Sequence, residues 1–261
     1  MTTPPEPEHL TLELSTATLH ALAGGSGTPL LLLHHDVGPF GWTPFHAELA
    51  RHFRVVAPDF PGFGGSPRAD WMRHPRDLAA TMLAAARKLG FDRYVLAGLG
   101  YGGWVAAEMA SFAPGPISAM ILAAPAGIRP DESFILDQVM MDYRDYVRAG
   151  FSSDAAYEKY VPNPPSKEQR ESWDASREVI ARICWKPYMY SYELPVTLGD
   201  VHVPSTIVWG RDDRVIPPEC ARLYADALPH ASVQLISGGH FLDLEQPDAL
   251  AEIIVTAAGR G

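Results

Sequence analysis

Short, continuously apolar runs alternate with longer amphipathic segments along most of this chain, and this rhythm constrains its fold more than any other feature. The apolar runs lie at residues 29–33, 54–59, 93–98, 118–125, 205–210 and 232–237. Continuous hydrophobicity is typical of parallel strands that are buried on both faces of a sheet. The amphipathic, helix-like segments lie at residues 44–53, 77–90, 102–113, 219–228 and 248–258. This alternation predicts an α/β domain with right-handed crossover connections.

Two stretches depart from this rhythm. Residues 10–22 have the pattern of an antiparallel pair of strands at the edge of the sheet. Residues 127–200 contain no strand-like run but are rich in aromatic side chains, and a structureless loop of that length is improbable in a compact domain. We therefore predict a helical cap over residues 128–197, inserted between residues 1–127 and 198–261 of one core domain. Most of the aromatic side chains are expected to pack the cap onto the core, and a few to line a pocket.

The composition argues against several classes of partner. The 261 residues carry a formal net charge of −10 and no cluster of lysine or arginine, which disfavours nucleic acid and anionic membranes as partners. No apolar run approaches the ~20 residues that span a bilayer, and the N-terminal residues lack the layout of a signal peptide. Cys184 and Cys220 have neither metal-type nor redox-type spacing. We expect a cytoplasmic protein that acts on a small molecule without a cofactor, and the sequence leaves its oligomeric state open.

Ligands of open α/β sheets bind beyond the carboxyl ends of the strands, so the residues that follow each predicted strand are the candidates for chemistry. Four of these loops are HHDVGPFGW (34–42), LGYGGW (99–104), RDDRVIPP (211–218) and GGHFLDLEQP (238–247). Together with VVAPDFPGFGGS (55–66), they resemble the α/β-hydrolase superfamily, in particular its capped members, which include epoxide hydrolases, haloalkane dehalogenases and carbon–carbon bond hydrolases. The resemblance covers nearly the whole chain. It implies a mainly parallel sheet of about eight strands with helices on both faces.

The resemblance also assigns site residues. His240 matches the catalytic histidine of the superfamily, and Asp213 matches the acid in its Gly-x-x-Asp turn. Asp212 is the rival for the acid, but its spacing from Gly210 fits that turn less well. The positions whose backbone N–H groups would form the oxyanion hole are Asp36 and Tyr101. Three further side chains are possible pocket residues: His34, His35 and Trp104.

The sequence departs from the superfamily at the position of the nucleophile. The stretch AGLGYGG (97–103) has Gly100 at its centre, where the related enzymes carry serine, aspartate or cysteine. Leu99 and His35 also replace the usual residues. Asp36 adds a carboxylate beside the oxyanion hole, where it would oppose the negative charge of a tetrahedral intermediate. Because a laboratory knockout ordinarily changes one residue, these joint departures favour a natural variant.

The turn at Gly100 is expected to keep the geometry of a nucleophile elbow. A positive φ costs a non-glycine residue ~1–3 kcal/mol, which glycine avoids. We predict a positive φ at Gly100, with its Cα facing His240 across a gap with space for a water molecule, and close helix packing that needs Gly102 and Gly103. On this view Gly100→Ser is tolerated at a cost of ~1–3 kcal/mol and gains reactivity toward serine reagents.

Three hypotheses for the function follow. In the first, His240, oriented by Asp213, is the general base of a hydrolase or lyase-like enzyme that forms no covalent serine intermediate. In the second, the protein is a non-catalytic ligand-binding or regulatory relative of such enzymes. In either case the ligand is expected to be small and largely apolar. In the third, four side chains bind a metal ion: His34, His35, Asp36 and His240. Adjacent residues of an extended segment point in opposite directions, so we predict no metal site.

Overall fold

The computed structural model describes residues 6–259, which form a mainly parallel sheet of eight strands with helices on both faces, as predicted. The strands are β1 (Glu8–Glu13), β2 (Thr18–Gly24), β3 (Pro29–Leu33), β4 (Arg54–Pro58), β5 (Tyr94–Leu99), β6 (Ile117–Ala123), β7 (Ser205–Gly210) and β8 (Ala231–Ile236). Their order across the sheet is β1-β2-β4-β3-β5-β6-β7-β8. Strand β2 pairs antiparallel with β1 and β4, which places the predicted antiparallel pair at one edge, and the other neighbours are parallel.

Ten α-helices accompany this sheet within residues 6–259. They are α1 (Pro44–Leu49), α2 (Pro75–Lys88), α3 (Tyr101–Phe112), α4 (Tyr143–Ala149), α5 (Asp154–Tyr160), α6 (Lys167–Ile183), α7 (Leu194–Thr197), α8 (Cys220–Ala227), α9 (Leu242–Glu245) and α10 (Pro247–Ala258). Helices α1 and α10 pack on one face through an apolar cluster that includes Phe45 and Ile254. Helices α2, α3 and α8 pack on the other face, where Leu78 and Tyr224 are buried. Across residues 6–259, every helix is too short or too polar to cross a bilayer.

One predicted strand, β8, is less buried than its sequence pattern indicates. Residues 232–237 were expected to be buried on both faces, but β8 is the last strand of the sheet, and Val233 and Leu235 are 41% and 40% exposed. That expectation is wrong, because an edge strand pairs on one side only and one of its faces is left partly uncovered. The polar residues Ser232 and Gln234, which interrupt the apolar run, already carried this signal.

The parallel strands place the candidate site at one edge of the sheet. Strands β3, β5, β7 and β8 all run in the same direction, so their carboxyl ends lie at the same edge. The loops that follow them carry, in order, His35 with Asp36, Gly100, Asp213 and His240. Residues that are far apart in the chain are therefore brought to one place by the sheet.

The segment between β6 and β7 contains helices α4 to α7 and contacts the loop after β8. The carbonyl oxygen of Gly150 accepts hydrogen bonds from the backbone N–H groups of His240 (2.7 Å) and Phe241 (3.1 Å). The hydroxyl of Tyr160 donates to the carbonyl oxygen of Leu244 (2.6 Å). These contacts join residues 128–197 to the loop that carries the candidate histidine, and the division of the chain into a core and a functional cap stays a prediction.

Candidate active site

The turn between β5 and α3 is shaped by Gly100. Its backbone has φ +52° and ψ −114°, so the predicted positive φ is confirmed. The helix packs closely behind it: a Cβ at Gly102 would lie 2.4 Å from the carbonyl oxygen of Leu33, and a Cβ at Gly103 would lie 2.7 Å from the Cβ of Pro125. Both contacts are too short for a side chain, which is why glycine is needed at these two positions.

His240 lies in the loop after β8 and is held by Asp213 from the loop after β7. Its Nδ1 lies 2.9 Å from Oδ2 of Asp213, so the predicted hydrogen bond is present and its acceptor is not Asp212. Oδ1 of Asp213 accepts from the backbone N–H groups of Val215 (2.8 Å) and Ile216 (3.0 Å), which fixes the carboxylate in its own turn. Because a carboxylate only accepts, the neutral His240 ring carries its hydrogen on Nδ1 and presents a lone pair at Nε2. That Nε2 has no hydrogen-bond partner among residues 6–259.

A second buried histidine faces His240 beside the Gly100 turn. Nε2 of His35 lies 3.0 Å from Oδ1 of Asp243, and both side chains are buried. The ring centroids of His35 and His240 are 5.1 Å apart. The carboxylate of Asp243 places the hydrogen of the neutral His35 ring on Nε2, so Nδ1 presents a lone pair, and it too lacks a partner within the described chain. Sequence reasoning missed Asp243. The signal that could have found it is His35, which stands where the superfamily has glycine, because a buried histidine needs a polar partner.

The space between Gly100 and His240 is too small for a side chain at position 100. A Cβ at Gly100 would lie 2.6 Å from Nδ1 of His35 and 2.8 Å from Nε2 of His240. The two rings thus occupy the space that a nucleophilic side chain would need, and each ring is tied to a carboxylate. The expectation that Gly100→Ser costs only backbone strain is therefore wrong. The expectation that a water molecule binds beside Nε2 of His240 stays a prediction.

Asp36 adds a buried carboxylate to this cluster. Its Oδ2 accepts hydrogen bonds from the hydroxyl of Tyr146 (2.6 Å) and from the side-chain amide of Gln138 (2.8 Å). Burial and the negative charge of Asp36 raise the pKa of Tyr146, so its hydroxyl stays protonated and donates. Oδ1 of Asp36 has no partner in the described part of the chain. Sequence reasoning missed both donors, because no local pattern links Asp36 to residues that are 110 and 102 positions away.

The predicted oxyanion hole consists of the backbone N–H groups of Asp36 and Tyr101. Tyr101 is the first residue of α3, so its N–H has no acceptor within the helix. Asp36 follows the end of β3, and within residues 6–259 neither N–H group donates to a protein acceptor. Both groups can therefore donate to a bound molecule at the carboxyl edge of the sheet.

Three of the four side chains considered for a metal ion come together. His35, Asp36 and His240 each offer one ligand-type atom, and these atoms lie within 4.8 Å of one another. The argument by which we predicted no metal site is wrong, because it holds only for extended backbone. Strand β3 ends at Leu33, and the chain then turns, with the N–H of Gly38 donating to the carbonyl oxygen of His35 (3.1 Å).

His34 and Trp104, the other predicted pocket residues, have hydrogen-bond partners within the protein, and His34 also lines a small cavity with His35 and Asp243. Nδ1 of His34 lies 2.6 Å from the carbonyl oxygen of His35, and its Nε2 accepts from the N–H of Phe60 (3.0 Å). Burial lowers the pKa of His34 to about 3, so this ring is neutral at physiological pH. The indole N–H of Trp104 donates to Glu108 (3.1 Å), and its ring lies in the buried core. Neither side chain has a polar atom left for a ligand.

The charged groups around His240 determine its protonation. Burial by itself lowers the pKa of His240, but the charge and the hydrogen bond of Asp213 outweigh it, and Asp36 and Asp243 act in the same direction, so the pKa is raised above 6.5. The ring of His35 also faces it. A raised folded-state pKa means that protonation of His240 stabilises the fold. This contribution is fully present below pH 6.5 and is lost as the pH rises through the folded-state pKa.

Asp213→Asn should therefore lower stability most at acidic pH. The variant loses a charge-assisted hydrogen bond worth about 1.5–3 kcal/mol, and without the carboxylate charge the pKa of His240 falls. We expect the difference in unfolding free energy from the wild type to be largest below about pH 6.5 and to narrow at higher pH. Urea unfolding of both proteins at several pH values measures this difference in free energy. The exposed neighbour gives the control: Asp212→Asn should stay within about 0.5 kcal/mol of the wild type. A difference for Asp213→Asn that does not vary with pH would contradict the raised pKa.

Comparisons with known proteins agree with this architecture. Residues 30–253 match the model of the alpha/beta hydrolase family. Haloalkane dehalogenase 2 of Mycobacterium tuberculosis (strain ATCC 25618 / H37Rv) is 27% identical, over 94% of this chain and 93% of that protein. The 2-hydroxy-6-oxo-2,4-heptadienoate hydrolase of Pseudomonas putida (strain F1) is 27% identical, over 85% of this chain and 86% of that protein. The structure of 2-hydroxy-6-oxo-6-phenylhexa-2,4-dienoate hydrolase from Rhodococcus sp. strain RHA1 superposes with a TM-score of 0.78 at 22% identity, covering 98% of this chain and 99% of that one.

Proposed function

Because the chain belongs to the alpha/beta hydrolase family, we propose that it hydrolyses a small, largely apolar carbonyl compound by direct attack of water, without a covalent enzyme intermediate. The observation that carries this proposal is the burial and hydrogen bonding of His240. Its Nδ1 is held by Asp213 (2.9 Å), and its Nε2 is buried and without a partner among the described residues. The lone pair of Nε2 faces a turn with no side chain at Gly100. Such a ring is oriented to accept a proton from water, and there is no hydroxyl, thiol or carboxylate at position 100 to be acylated.

The reaction balances with these groups alone. A water molecule transfers one proton to Nε2 of His240 while its oxygen bonds to the carbonyl carbon, and the carbonyl electrons move to oxygen. The N–H groups of Asp36 and Tyr101 stabilise that oxyanion. When the carbonyl re-forms, the bond to the leaving group breaks, and His240 returns the proton to it. Asp213 stabilises the imidazolium throughout and is never protonated. The products are a carboxylic acid and the protonated leaving group.

The surroundings of the site support a small apolar substrate. A groove of about 260 Å³ lies between residues 37–43, which directly follow Asp36 in the chain, and helices α5 and α6. The aromatic rings of Phe40, Tyr160 and Trp173 line it. The names of the dehalogenase and the dienoate hydrolase that resemble this chain also point to small organic substrates. We propose that residues 128–197 act as a lid, because Tyr146 and Gln138 bind the Asp36 carboxylate and Gly150 binds the His240 backbone.

The test is turnover of p-nitrophenyl acetate and p-nitrophenyl butyrate, with a search for covalent adducts. We expect multiple turnovers that are linear from the first one, with no burst. Intact-mass analysis of protein that is quenched during turnover should show no added acyl group. A fluorophosphonate should leave the protein unlabelled. An acyl or phosphonyl adduct on any residue would show that another nucleophile exists and would overturn the proposal.

A second candidate function is non-catalytic binding, and one observation favours it. The carboxylate of Asp36 is buried beside the oxyanion hole, where its charge opposes the one that forms on the substrate. A binding protein would be stabilised against heat by the same esters in a saturable manner, yet would hydrolyse none of them faster than buffer. Thermal unfolding measured alongside the turnover assay separates the two functions.

A further inference from the structure

We propose that His35, Asp36 and His240 form a binding site for a divalent transition-metal ion. The three side chains come from the loops after β3 and β8, and each is almost completely buried, with 2%, 1% and 1% exposure. One ligand-type atom of each lies within 4.8 Å of the other two. Two imidazoles and one carboxylate are a chemically suitable ligand set for such an ion.

The atoms left without partners carry this inference. They are Nδ1 of His35, Oδ1 of Asp36 and Nε2 of His240, each unpaired within residues 6–259. With both rings neutral, all three atoms are acceptors, because Asp243 and Asp213 hold the ring hydrogens on the opposite nitrogens. A water molecule has two hydrogens and can satisfy only two acceptors. A divalent cation satisfies all three at once and neutralises the buried negative charge of Asp36.

The groups behind these side chains have the arrangement found around metal ligands. Metal-bound histidines commonly donate their other ring N–H to a carboxylate, which fixes the tautomer and orients the ring. Here both histidines do so, at 3.0 Å to Asp243 and 2.9 Å to Asp213. The Asp36 carboxylate is also oriented, because its second oxygen accepts two hydrogen bonds from residues 128–197. All three side chains are therefore held in place by other groups, and each keeps one atom without a partner among residues 6–259.

Gly100 explains why the two nitrogens can approach. A Cβ at this position would lie within 2.8 Å of both Nδ1 of His35 and Nε2 of His240, so any other residue would push the rings apart. The departures of this chain from the superfamily pattern at Gly100, His35 and Asp36 thus meet at one point. Loss of a nucleophile alone would account for Gly100, but not for a buried histidine and a buried aspartate that each have an unpaired atom within residues 6–259.

The ion would give the proposed reaction a second way to activate water. Zinc binds imidazole nitrogen at about 2.0–2.1 Å, so the three side chains would draw inward on binding, and three protein ligands leave a coordination position for water. This catalytic role of the ion rests on the proposed function, because water is the nucleophile with the ion and without it. A bound ion would be held by His35, Asp36 and His240 and would supply activation of water, so that His240 would then act as a ligand and no longer as the base.

The experiment measures metal binding directly. The full chain is treated with a chelator, and Zn²⁺ is titrated by calorimetry, with Co²⁺ as a spectroscopic probe. We expect one Zn²⁺ per chain and visible Co²⁺ absorption bands that Zn²⁺ displaces. His35→Ala and Asp36→Asn each remove a ligand and should weaken Zn²⁺ binding by more than the ~10–100-fold typical of outer contacts, whereas Gln138→Ala should weaken it by about 10-fold. Asp36→Asn keeps the shape of the side chain, so it remains informative if His35→Ala does not fold.

The control is a second pair of histidines on the surface. His202 and His230 are exposed, with ring centroids 5.5 Å apart, and could bind Zn²⁺ adventitiously. The double variant His202→Ala/His230→Ala should keep the one-to-one binding. Absence of Zn²⁺ binding by the wild type would overturn the proposed site, as would binding that is lost in this double variant and kept in His35→Ala.

The outcomes separate the metal site from the proposed function. If ester turnover persists in the presence of chelator and no metal binds, the site is wrong and the function stands. If Zn²⁺ binds through His35 and Asp36 but neither the chelator-treated nor the loaded protein hydrolyses an ester, the site stands and the function is wrong.

Discussion

Replacing Gly100 with alanine is expected to lower the free energy of unfolding by about 2–6 kcal/mol. Two effects add. The backbone at φ +52° is strained for any residue with a Cβ, at a cost of ~1–3 kcal/mol. The new methyl group also overlaps Nδ1 of His35 at 2.6 Å and Nε2 of His240 at 2.8 Å. Such overpacking costs a further ~1–3 kcal/mol, because both buried rings are bound to carboxylates and cannot easily move. Urea unfolding measures the sum.

Gly90 provides the matched control for this prediction. It has φ +72°, and a Cβ there would have no neighbour within 4 Å among the described residues. Gly90→Ala therefore shares the backbone strain and lacks the overlap, and should cost only ~1–3 kcal/mol. The difference between the two variants isolates the contact with the histidines. If Gly100→Ala is no more destabilising than Gly90→Ala, the rings are not where the structure places them.

His240→Gln is expected to reduce kcat/KM for ester hydrolysis by ~10²–10⁴-fold, the range for loss of a positioned general base. Glutamine is similar in length to histidine, but its amide does not accept a proton at neutral pH. The substitution also removes the partner of Asp213, so the variant is compared with the wild type only after its circular dichroism spectrum shows that it is folded. Initial rates with p-nitrophenyl butyrate measure the effect.

The control for this variant is His230→Gln, which makes the same chemical change at an exposed position. Its kcat/KM should match that of the wild type within about twofold, since surface substitutions away from special features are usually close to neutral. Equal loss in both variants would indicate that the activity comes from exposed imidazole or from a contaminant. A His240→Gln variant that retains its rate would remove His240 from the mechanism.

Most of the fold could be predicted from local sequence patterns. Strand β5 is buried along its whole length, as its continuous apolar run VLAGL indicates, and α2 follows the amphipathic period of its residues. These patterns are local, because the side chains of one element already show which of its faces is covered. The partial exposure of β8 could not be predicted from its own residues. Its position at the edge depends on the order of strands across the sheet, which no single run specifies.

The candidate site, too, was predictable only where adjacent residues define it. The spacing of the turn after β7 selects Asp213 over Asp212, and the glycine at the elbow predicts the positive φ at residue 100; both rest on a few adjacent residues. The partner of His35 lies 208 positions away, at Asp243. The donors to Asp36 belong to the segment between β6 and β7. No local pattern connects them.

The sequence by itself determined the order of strands and helices along the chain and the elbow at Gly100, and its resemblance to the α/β-hydrolase superfamily pointed to His240 and Asp213. Tertiary structure decided that ligand-type atoms of His35, Asp36 and His240 lie within 4.8 Å of one another, and that each of these side chains keeps an atom without a partner among residues 6–259. The alternation rule failed at His35 and Asp36 because it describes an extended strand, and the chain turns after Leu33. The direction of a side chain in a loop is set by the packing of distant segments around it, and that packing exists only when the parallel strands bring their carboxyl ends to one edge.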